Sequence, residues 1–420
     1  MNFLVELHTR TMEVMLMDLQ SGVFYWPTTY TRKKQYASLQ EDTECDVLII
    51  GCGSSGAQCA YYLLDSGLDI VMVDARRIGE GSTSTNTALL QYLGEKFYFE
   101  LSNTFGEEKA TTHVKLCEQA ITDIETAAQS LEHVGFKRRD SLYTASDAQG
   151  VQILNKEYDL LKKHQFDVEK WDREKISKHF PFSRESALLI KNDAEINPLA
   201  FTDQLIQLAA EKGFRIFENT KILRHHYENG TVTYTTSEGY HIKAKKVIVA
   251  AGYETLDFRK HKNLAMESTY TIITKPLDLS FWYERMLLWE TKRPYIYMRT
   301  TEDNRIIIGG LDETTDIPEE RDNQLISKKN QLVKEFNKFF PDVRIEPEFY
   351  LGALYGGTTD GLPMIGTYED LPNVYHVYAY GDNGTIYNMV LGKIIGDLVL
   401  TGSSPNSDLY VQTRKTIHGK

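Results

Sequence analysis

DVLIIGCGSSG, residues 46–56, is an apolar run that ends in glycines spaced Gly-x-Gly-x-x-Gly. A helical stretch follows to about Ser66, and a second apolar run, IVMV at residues 70–73, ends at Asp74. Short continuous apolar runs bounded by glycine are typical of buried strands in a parallel sheet. The order of strand, glycine turn, helix, strand and acidic residue therefore predicts a βαβ unit that binds a dinucleotide.

The three glycines and the aspartate of this unit each have a separate task. Gly51 permits the tight turn, Gly53 lets the backbone approach a pyrophosphate, and Gly56 lets the helix and the sheet pack closely. Asp74 is placed to accept hydrogen bonds from ribose hydroxyls. The free amides and the positive dipole end of the helix N-terminus suit the phosphates. The structural alternative is a glycine turn in a fold that binds no nucleotide.

The βαβ unit by itself leaves the dinucleotide open between NAD and FAD. Arg76 and Arg77 could suggest recognition of a 2′-phosphate, but Asp74 would repel that group. We therefore interpret the two arginines as surface residues or as packing on the adenine side.

Length and composition limit the class of protein. A chain of 420 residues is long enough for two lobes, and 41% hydrophobic and 25% charged residues are ordinary for a globular enzyme. The net charge of −12 disfavours nucleic acid as a partner. The four cysteines are too few for a disulfide scaffold and include no CxxC pair. Because neither a membrane-spanning run nor a leader peptide is recognised, we expect a cytoplasmic protein.

A Gly/Ser/Thr-rich loop at residues 76–87 follows the βαβ unit and decides between the two cofactors. Further motifs recur in a fixed order along the chain, at residues 196–198, 246–252, 295–310, 357–366 and 381–384. As a set, over residues 44–402, these motifs resemble the D-amino-acid oxidase family of FAD-dependent oxidoreductases. That family includes glycine oxidase, sarcosine oxidase and γ-glutamylputrescine oxidase.

The resemblance implies FAD as the cofactor, held by residues from the early, middle and late motifs. The implied FAD-binding residues are Gly51, Gly53, Ser54, Ser55, Gly56, Asp74, Ala75, Arg76, Ser82, Thr83, Ser84, Thr85, Asn86, Ile222, Ala251, Gly252, Gly381, Asp382, Asn383, Gly384 and Thr385. A helix N-terminus at Gly384 would direct amides at the flavin, where negative charge grows as the ring accepts hydride. Simple capping of that helix by Asn383 is compatible with this role. Since no cysteine lies in the later motifs, we expect non-covalent FAD.

The pattern of elements and the resemblance together predict a mixed α/β fold, with a Rossmann-like FAD-binding lobe interleaved with a β-rich substrate-binding lobe. We assign residues 45–140, 197–264 and 352–402 to the FAD-binding domain, and residues 141–196 and 265–351 to the substrate domain. Residues 1–44 are predicted to form an N-terminal arm that wraps the body, and residues 403–420 a C-terminal tail. The basic cluster Arg32-Lys33-Lys34 of the arm is predicted to be solvated.

Residues 107–133 carry apolar side chains at alternating spacings of four and three, which predicts an amphipathic helix. Cys117 lies on its apolar face and is interpreted as a small buried residue, not a reactive thiol. The histidines His225, His226 and His241 have no metal-ligand spacing with a nearby carboxylate, so no metal site is predicted.

The substrate side departs from the family pattern. Oxidases of small amino acids hold the substrate carboxylate with an arginine, but the matching positions here lie at Tyr355 and near Gln91. Arg299 could substitute for it, although a structural ion pair is the favoured interpretation. A simple α-amino acid is therefore disfavoured as the substrate. No catalytic residue is assigned, and the candidates for lining the substrate site are Gln91, Tyr92, Tyr270 and Tyr355.

The predicted activity is oxidation of the C–N bond of an amine or amino acid, by hydride transfer to flavin. Water hydrolyses the resulting imine, and dioxygen or another acceptor reoxidises the flavin. One alternative is a flavin dehydrogenase of a 2-hydroxy acid or a polyol phosphate. Another is a catalytically silent FAD-binding protein, suggested by the missing arginines and by Asp382, an acid where flavin prefers positive surroundings. An NAD-dependent dehydrogenase is favoured only if the βαβ unit is considered without the later motifs.

Overall fold

A computed structural model of the chain describes residues 16–94 and 96–417. Residues 1–15 of the predicted arm and residues 418–420 of the predicted tail lie outside the described residues. The strands are β1 (Gln20–Val23), β2 (Thr43–Ile50), β3 (Ile70–Val73), β4 (Leu89–Leu90), β5 (Lys137–Thr144), β6 (Val168–Asp172), β7 (Ser186–Glu195), β8 (Arg215–Phe217), β9 (Ile222–Glu228), β10 (Thr231–Thr236), β11 (His241–Val249), β12 (Leu264–Thr274), β13 (Leu287–Glu290), β14 (Ile296–Thr300), β15 (Ile306–Glu313), β16 (Pro347–Thr358), β17 (Met364–Tyr368) and β18 (Leu371–Tyr378). The helices are α1 (Trp26–Thr29), α2 (Ser54–Tyr61), α3 (Tyr98–Phe105), α4 (Glu107–Ala128), α5 (Ala148–Lys163), α6 (Arg173–His179), α7 (Pro198–Glu211), α8 (Thr255–Phe258), α9 (Pro318–Phe339) and α10 (Gly384–Thr401).

The smaller sheet is built on parallel strands in the order β18, β11, β2, β3 and β8. Antiparallel β17 extends it beyond β18, and the β9–β10 hairpin pairs with β11. All four residues of β3 and the last four of β2 are buried, because one face of these strands packs on the helices and the other packs on the β9–β10 hairpin. This arrangement explains why both strands appear in the sequence as unbroken apolar runs.

The helix predicted at residues 107–133 is α4, which ends at Ala128 and therefore excludes Leu131. Its apolar stripe, including Ala110, Cys117 and Ile124, is buried as predicted. Helix α4 packs against α10, and α10 packs against α2. These helices and the smaller sheet enclose one continuous hydrophobic core.

The larger sheet is mostly antiparallel, in the order β1, β16, β12, β15, β14, β13, β5, β7 and β4, with β6 beside β7. Strands β13 and β5 are its parallel pair among the described residues. Helix α9 packs on β12, β15 and β16 and closes a second core. The chain passes between the two sheets several times, and the predicted mixed α/β fold class is confirmed.

The described part of the arm contacts both sheets. Strand β1 pairs with β16 at the edge of the larger sheet. Farther along, the guanidinium of Arg32 forms ion pairs with Asp203 at 2.9 Å and with Glu218 at 2.7 Å. The prediction of a solvated basic cluster is therefore wrong for Arg32, whose side chain is 12% exposed. The ion pairs with Asp203 and Glu218 hold the Arg32 side chain against the body of the protein, whereas Lys33 and Lys34 are exposed.

A buried histidine links the C-terminal segment to α4. His113 Nδ1 lies 2.9 Å from the hydroxyl oxygen of Tyr410, and both side chains are buried. Burial, together with the positive charge of Arg414, lowers the pKa of His113 to about 3. The neutral form is therefore the one that the folded protein accommodates.

We expect His113 to destabilise the fold in acid. Because its pKa in the folded state lies below the unfolded value of about 6.5, its contribution to stability is complete above that pH and is lost as pH falls toward 3. Between pH 7 and pH 5 this residue should lower the free energy of unfolding by about 2 kcal/mol. Urea denaturation at the two pH values measures the change.

The matched comparison is His113→Gln with His226→Gln, since His226 is an exposed histidine on β9. The first variant should lose less stability on acidification than the unmodified protein, and the second should lose the same amount. This account would be contradicted if acidification lowered the free energy of unfolding of His113→Gln by as much as that of the unmodified protein.

Candidate functional site

The carboxyl ends of β2, β3 and β11 meet at one edge of the smaller sheet, where parallel α/β folds bind their ligands. A cavity of about 510 Å³ opens at this edge. Gly51, Asp74 and Ala250, which follow the three strands directly, all line it. Its volume is in the range of small-molecule and cofactor sites. We call it the nucleotide cavity.

The glycine turn after β2 is sterically determined. Gly51 has a φ of 107°, and a Cβ there would lie 2.3 Å from the carbonyl oxygen of Ala250. A Cβ on Gly56 would lie 1.8 Å from the carbonyl oxygen of Gly51. Only glycine fits at either position, and the close contact brings the N-terminus of α2 to the cavity wall.

Serines at the start of α2 are held by the last long helix. Ser55 Oγ donates to Asn388 Oδ1 at 2.5 Å, and Asn388 Nδ2 donates to Ser54 Oγ at 3.0 Å. The backbone N–H of Ser54 donates to Thr83 Oγ1 at 3.1 Å. Two early segments of the chain and the distant helix α10 therefore meet at this turn.

Asp74 lies at the end of β3 with its carboxylate already oriented. It accepts hydrogen bonds from the backbone N–H groups of Cys52 at 2.7 Å and Arg76 at 2.8 Å. Burial raises the pKa of Asp74 to about 6, against the lowering effect of these two bonds. The guanidinium of Arg76 pairs with Glu254, so the structure places it in an ion pair at the cavity wall.

A smaller cavity, of about 130 Å³, adjoins the nucleotide cavity. The two share Ser82, Asn86, Tyr253, Ala379 and Gly384 in their walls. Its walls also contain aromatic and acidic side chains, namely Trp289, Tyr295, Tyr297, Tyr355, Asp312 and Asp382. None of its described lining residues is lysine, arginine or histidine. We call it the acid–aromatic cavity.

The aromatic wall is positioned by three neighbouring strands of the larger sheet. Trp289 on β13 is the partner of Tyr297 on β14, and Tyr297 is the partner of Gly309 on β15. A Cβ on Gly309 would lie 2.2 Å from the Tyr297 ring, so the ring lies across this glycine. Trp289 stacks on Tyr143 with ring centroids 3.7 Å apart, which fixes its indole.

The acidic residue Asp382 lies just before α10. Its carboxylate accepts hydrogen bonds from Tyr295 at 3.5 Å and from Tyr387 at 3.4 Å. The next residue, Asn383, donates from Nδ2 to the carbonyl oxygen of Leu93 at 2.9 Å. These bonds fix the loop at the N-terminus of α10, where both cavities meet.

Comparison with known proteins identifies the family of the chain. Residues 46–398 match the family model described as DAO, FAD dependent oxidoreductase. The chain belongs to the DAO family. It is an FAD-dependent oxidoreductase, as the sequence motifs predicted.

Two relatives and one solved structure to which the chain is similar are each less than 25% identical to it. A Bacillus subtilis protein, named as a Rieske 2Fe-2S iron-sulfur protein, is 24% identical over 93% of this chain and 75% of its own. The γ-glutamylputrescine oxidoreductase of Escherichia coli is 22% identical over 92% of this chain and 90% of its own. Glycine oxidase from Geobacillus kaustophilus has a TM-score of 0.75 at 17% identity, covering 88% of this chain and 99% of its own.

The nucleotide cavity of this DAO-family chain fits FAD by its own geometry. Gly51 and Gly56 leave the turn free of side chains, and the N-terminus of α2 faces the cavity. Thr385 Oγ1, in the first turn of α10, is buried and has no hydrogen-bond partner among the described residues. Thr385 lines the adjoining acid–aromatic cavity, and a polar group without a described protein partner there is one that a bound cofactor could satisfy.

The residues predicted to bind FAD are distributed over both cavities. Those that line the nucleotide cavity are Gly51, Gly53, Ser54, Ser55, Asp74, Ala75, Arg76, Ser82, Thr83, Asn86, Ile222, Ala251, Gly252 and Gly384. Those that line the acid–aromatic cavity are Ser82, Thr85, Asn86, Gly381, Asp382, Asn383, Gly384 and Thr385. Gly56 and Ser84 line neither: Gly56 packs on the turn, and the Ser84 hydroxyl donates to the carbonyl oxygen of Gly81.

The substrate-side candidates separate into two pairs. Gln91 and Tyr355 line the acid–aromatic cavity. Tyr92 and Tyr270 line neither cavity. Tyr92 is buried and stacks on Phe166 with ring centroids 5.5 Å apart. Tyr270 is buried on the opposite side of the larger sheet, in its second core.

Arg299, the other residue considered for a substrate carboxylate, lies outside both cavities. It is buried, 3.7 Å from Glu195, and donates to the carbonyl oxygen of Ile196 at 3.1 Å. This geometry is that of a structural ion pair.

Sequence reasoning missed the wall residues Trp289, Tyr295, Tyr297, Asp312 and Tyr253. One signal was available: residues 295 and 297 are two positions apart in a run predicted as a strand, so their side chains are expected on the same face. The pairing of β13, β14 and β15, which makes that face a wall, follows only from the tertiary structure.

Among the described residues no cluster suited to a metal ion occurs, and no helix has the length and hydropathy of a membrane span.

Proposed function

We propose that this FAD-dependent oxidoreductase oxidises the C–N bond of an amine or amino acid. The observation that carries the proposal is the acid–aromatic cavity, which shares five wall residues with the nucleotide cavity and so opens directly onto the cofactor site. The name of the Escherichia coli relative, a γ-glutamylputrescine oxidoreductase, supports an amine substrate. We also propose that the predicted residues lining the nucleotide cavity hold FAD non-covalently.

The chemistry balances without a metal or a strong base. A hydride leaves the carbon next to nitrogen as that C–H bond breaks, and the nitrogen lone pair forms the C=N bond. FAD, when bound, supplies the acceptor of the hydride with its two electrons. Water adds to the C=N bond, and loss of the amine gives a carbonyl compound. The electrons pass on to dioxygen, forming hydrogen peroxide, or to another acceptor.

The protein contributes position and exclusion of water. Burial raises the pKa of Tyr253 to about 12 and also raises the pKa of Tyr297, so both phenols keep their protons at neutral pH. They act as hydrogen-bond donors and apolar walls, not as bases. Fixed aromatic walls hold the substrate in one orientation, which lowers the entropy loss on reaching the transition state.

The same cavity argues against the alternative substrates. A 2-hydroxy acid or a polyol phosphate is an anion, and anion recognition uses arginine, lysine or a helix N-terminus. The described lining residues contribute two carboxylates and no basic side chain. Two described helix N-termini lie at this wall: that of α10, beside Asp382, and that of the 3₁₀ helix Ser82–Thr85.

The test is the visible spectrum of the purified protein, followed by anaerobic addition of amines, N-methyl amino acids, D-amino acids and 2-hydroxy acids. We expect flavin absorbance that an amine or amino acid bleaches. Readmission of air and measurement of hydrogen peroxide then distinguish dioxygen from another acceptor. Bleaching by a 2-hydroxy acid alone would refute the proposal, and bleaching by no compound would favour a catalytically silent protein.

A further inference from the structure

The acid–aromatic cavity carries an inference about the substrate, which rests on the proposed function. Two carboxylates, Asp312 and Asp382, lie in its wall, and its described lining residues supply no positive side chain. An α-amino acid entering as a zwitterion would place its carboxylate near these acids, with no basic side chain among the described lining residues. Like charges at short range in a partly buried site repel strongly. The cavity therefore discriminates against a carboxylate and favours a cation.

The aromatic residues favour the same charge. Trp289, Tyr295 and Tyr297 line one cavity, and Trp289 and Tyr295 meet edge to face with ring centroids 6.2 Å apart. The faces of indole and phenol rings carry negative potential and attract alkylammonium groups. The stack of Trp289 on Tyr143 holds the indole in place, so the indole loses little conformational entropy when a ligand binds.

Two further features bear on the charge of the site. Trp289 Nε1 is buried and has no hydrogen-bond partner among the described residues; its N–H can donate only to an acceptor atom, so it is not a group that binds the ammonium ion. Arg293 lies 4.8 Å from the ring centre of Tyr295, but it contacts Phe97 as well and does not line the cavity. Its guanidinium is therefore not part of the described wall of the space that a substrate would enter.

We propose that the acid–aromatic cavity binds the nitrogen of an alkylamine that carries no carboxylate beside it. The amine arrives as an ammonium ion and loses one proton to water before reaction, since its lone pair must form the C=N bond. Hydride loss then returns positive charge to the nitrogen. Walls that attract the ammonium ion also stabilise this iminium product and the transition state that leads to it.

Binding can be measured without turnover on the FAD-loaded protein. Tetramethylammonium and glycine betaine share a quaternary nitrogen, and betaine adds one carboxylate; neither has the lone pair that oxidation needs. Each is titrated while the visible flavin spectrum is recorded, with tert-butanol as the neutral analogue. We expect tetramethylammonium to bind at least tenfold more tightly than glycine betaine, and tert-butanol to bind more weakly than tetramethylammonium.

The variant Asp312→Asn should weaken tetramethylammonium binding about tenfold and reduce its preference over betaine. The control is Asp316→Asn, the same change of charge at an exposed residue outside the cavity. Its affinity for tetramethylammonium should be unchanged. Because the comparison of the two ligands needs no variant, it decides the inference even if Asp312→Asn fails to fold.

Equal or tighter binding of glycine betaine would overturn the inference, as would no spectral change with tetramethylammonium. These results are separate from a failure of the proposed function. If amino acids bleach the flavin and their decarboxylated amines do not, the C–N activity stands and the carboxylate-free substrate is wrong. If tetramethylammonium binds and no amine or amino acid bleaches the flavin, the cation site stands and the proposed function is wrong.

Discussion

Gly53→Val is expected to leave the purified protein without bound flavin. Gly53 is the N-cap of α2 and lines the nucleotide cavity. A Cβ at this position would lie 3.3 Å from Thr83 Oγ1, the atom that accepts the hydrogen bond from the Ser54 N–H. The two methyl groups of valine would extend farther into the space through which the backbone approaches a pyrophosphate. We expect FAD binding to weaken at least a hundredfold, by about 3 kcal/mol.

The matched control is Gly357→Val on β16, because a Cβ on Gly357 has no heavy atom within 4 Å. Flavin content per folded protein is measured from visible absorbance, and circular dichroism reports the fold. The control should keep its flavin. Full flavin occupancy in Gly53→Val would contradict the placement of the pyrophosphate at this turn.

Arg32→Ala should cause the second large effect, on stability. Removing the guanidinium leaves Asp203 and Glu218 as neighbouring carboxylates whose side chains are 0% and 2% exposed. Loss of one partner from a buried ion pair destabilises proteins by about 3–5 kcal/mol, since the remaining charge stays buried and unpaired. The change is measured as the free energy of unfolding in urea at neutral pH.

Lys33→Ala provides the control for this prediction. Lys33 is the adjacent basic residue, and its ion pair with Glu132 joins side chains that are 67% and 70% exposed. Exposed ion pairs contribute less than about 1 kcal/mol to the free energy of unfolding. Similar losses in the two variants would show that Arg32 is not the residue that attaches the arm.

The cofactor turn could be predicted from the sequence because its determinants are local. Gly51, Gly53 and Gly56 act through contacts within one βαβ unit, and the unbroken apolar runs of β2 and β3 follow from burial on both faces. A signal that lies within thirty or so neighbouring residues is visible in the sequence.

The substrate wall could not be predicted in the same way. Trp289, Tyr297 and Asp312 come together only because β13, β14 and β15 pair in register, and Gly309 makes room for the Tyr297 ring. Arg32 looked like part of an exposed basic cluster because its partners, Asp203 and Glu218, are far away in the sequence. Long-range pairing decides both cases, and composition and periodicity do not encode it.

The contacts of Asn388 with Ser54 and Ser55 have a consequence for biosynthesis. The turn after β2 leaves the ribosome before β18 and α10, which complete the parallel strands and hold those serines. Asn388 is 334 residues from Ser54. The nascent sheet therefore has an unpaired strand edge until β18 and α10 have been made. We expect flavin to bind only after α10 has been made, and chaperone protection during elongation to matter more for this topology than for one whose domains are contiguous.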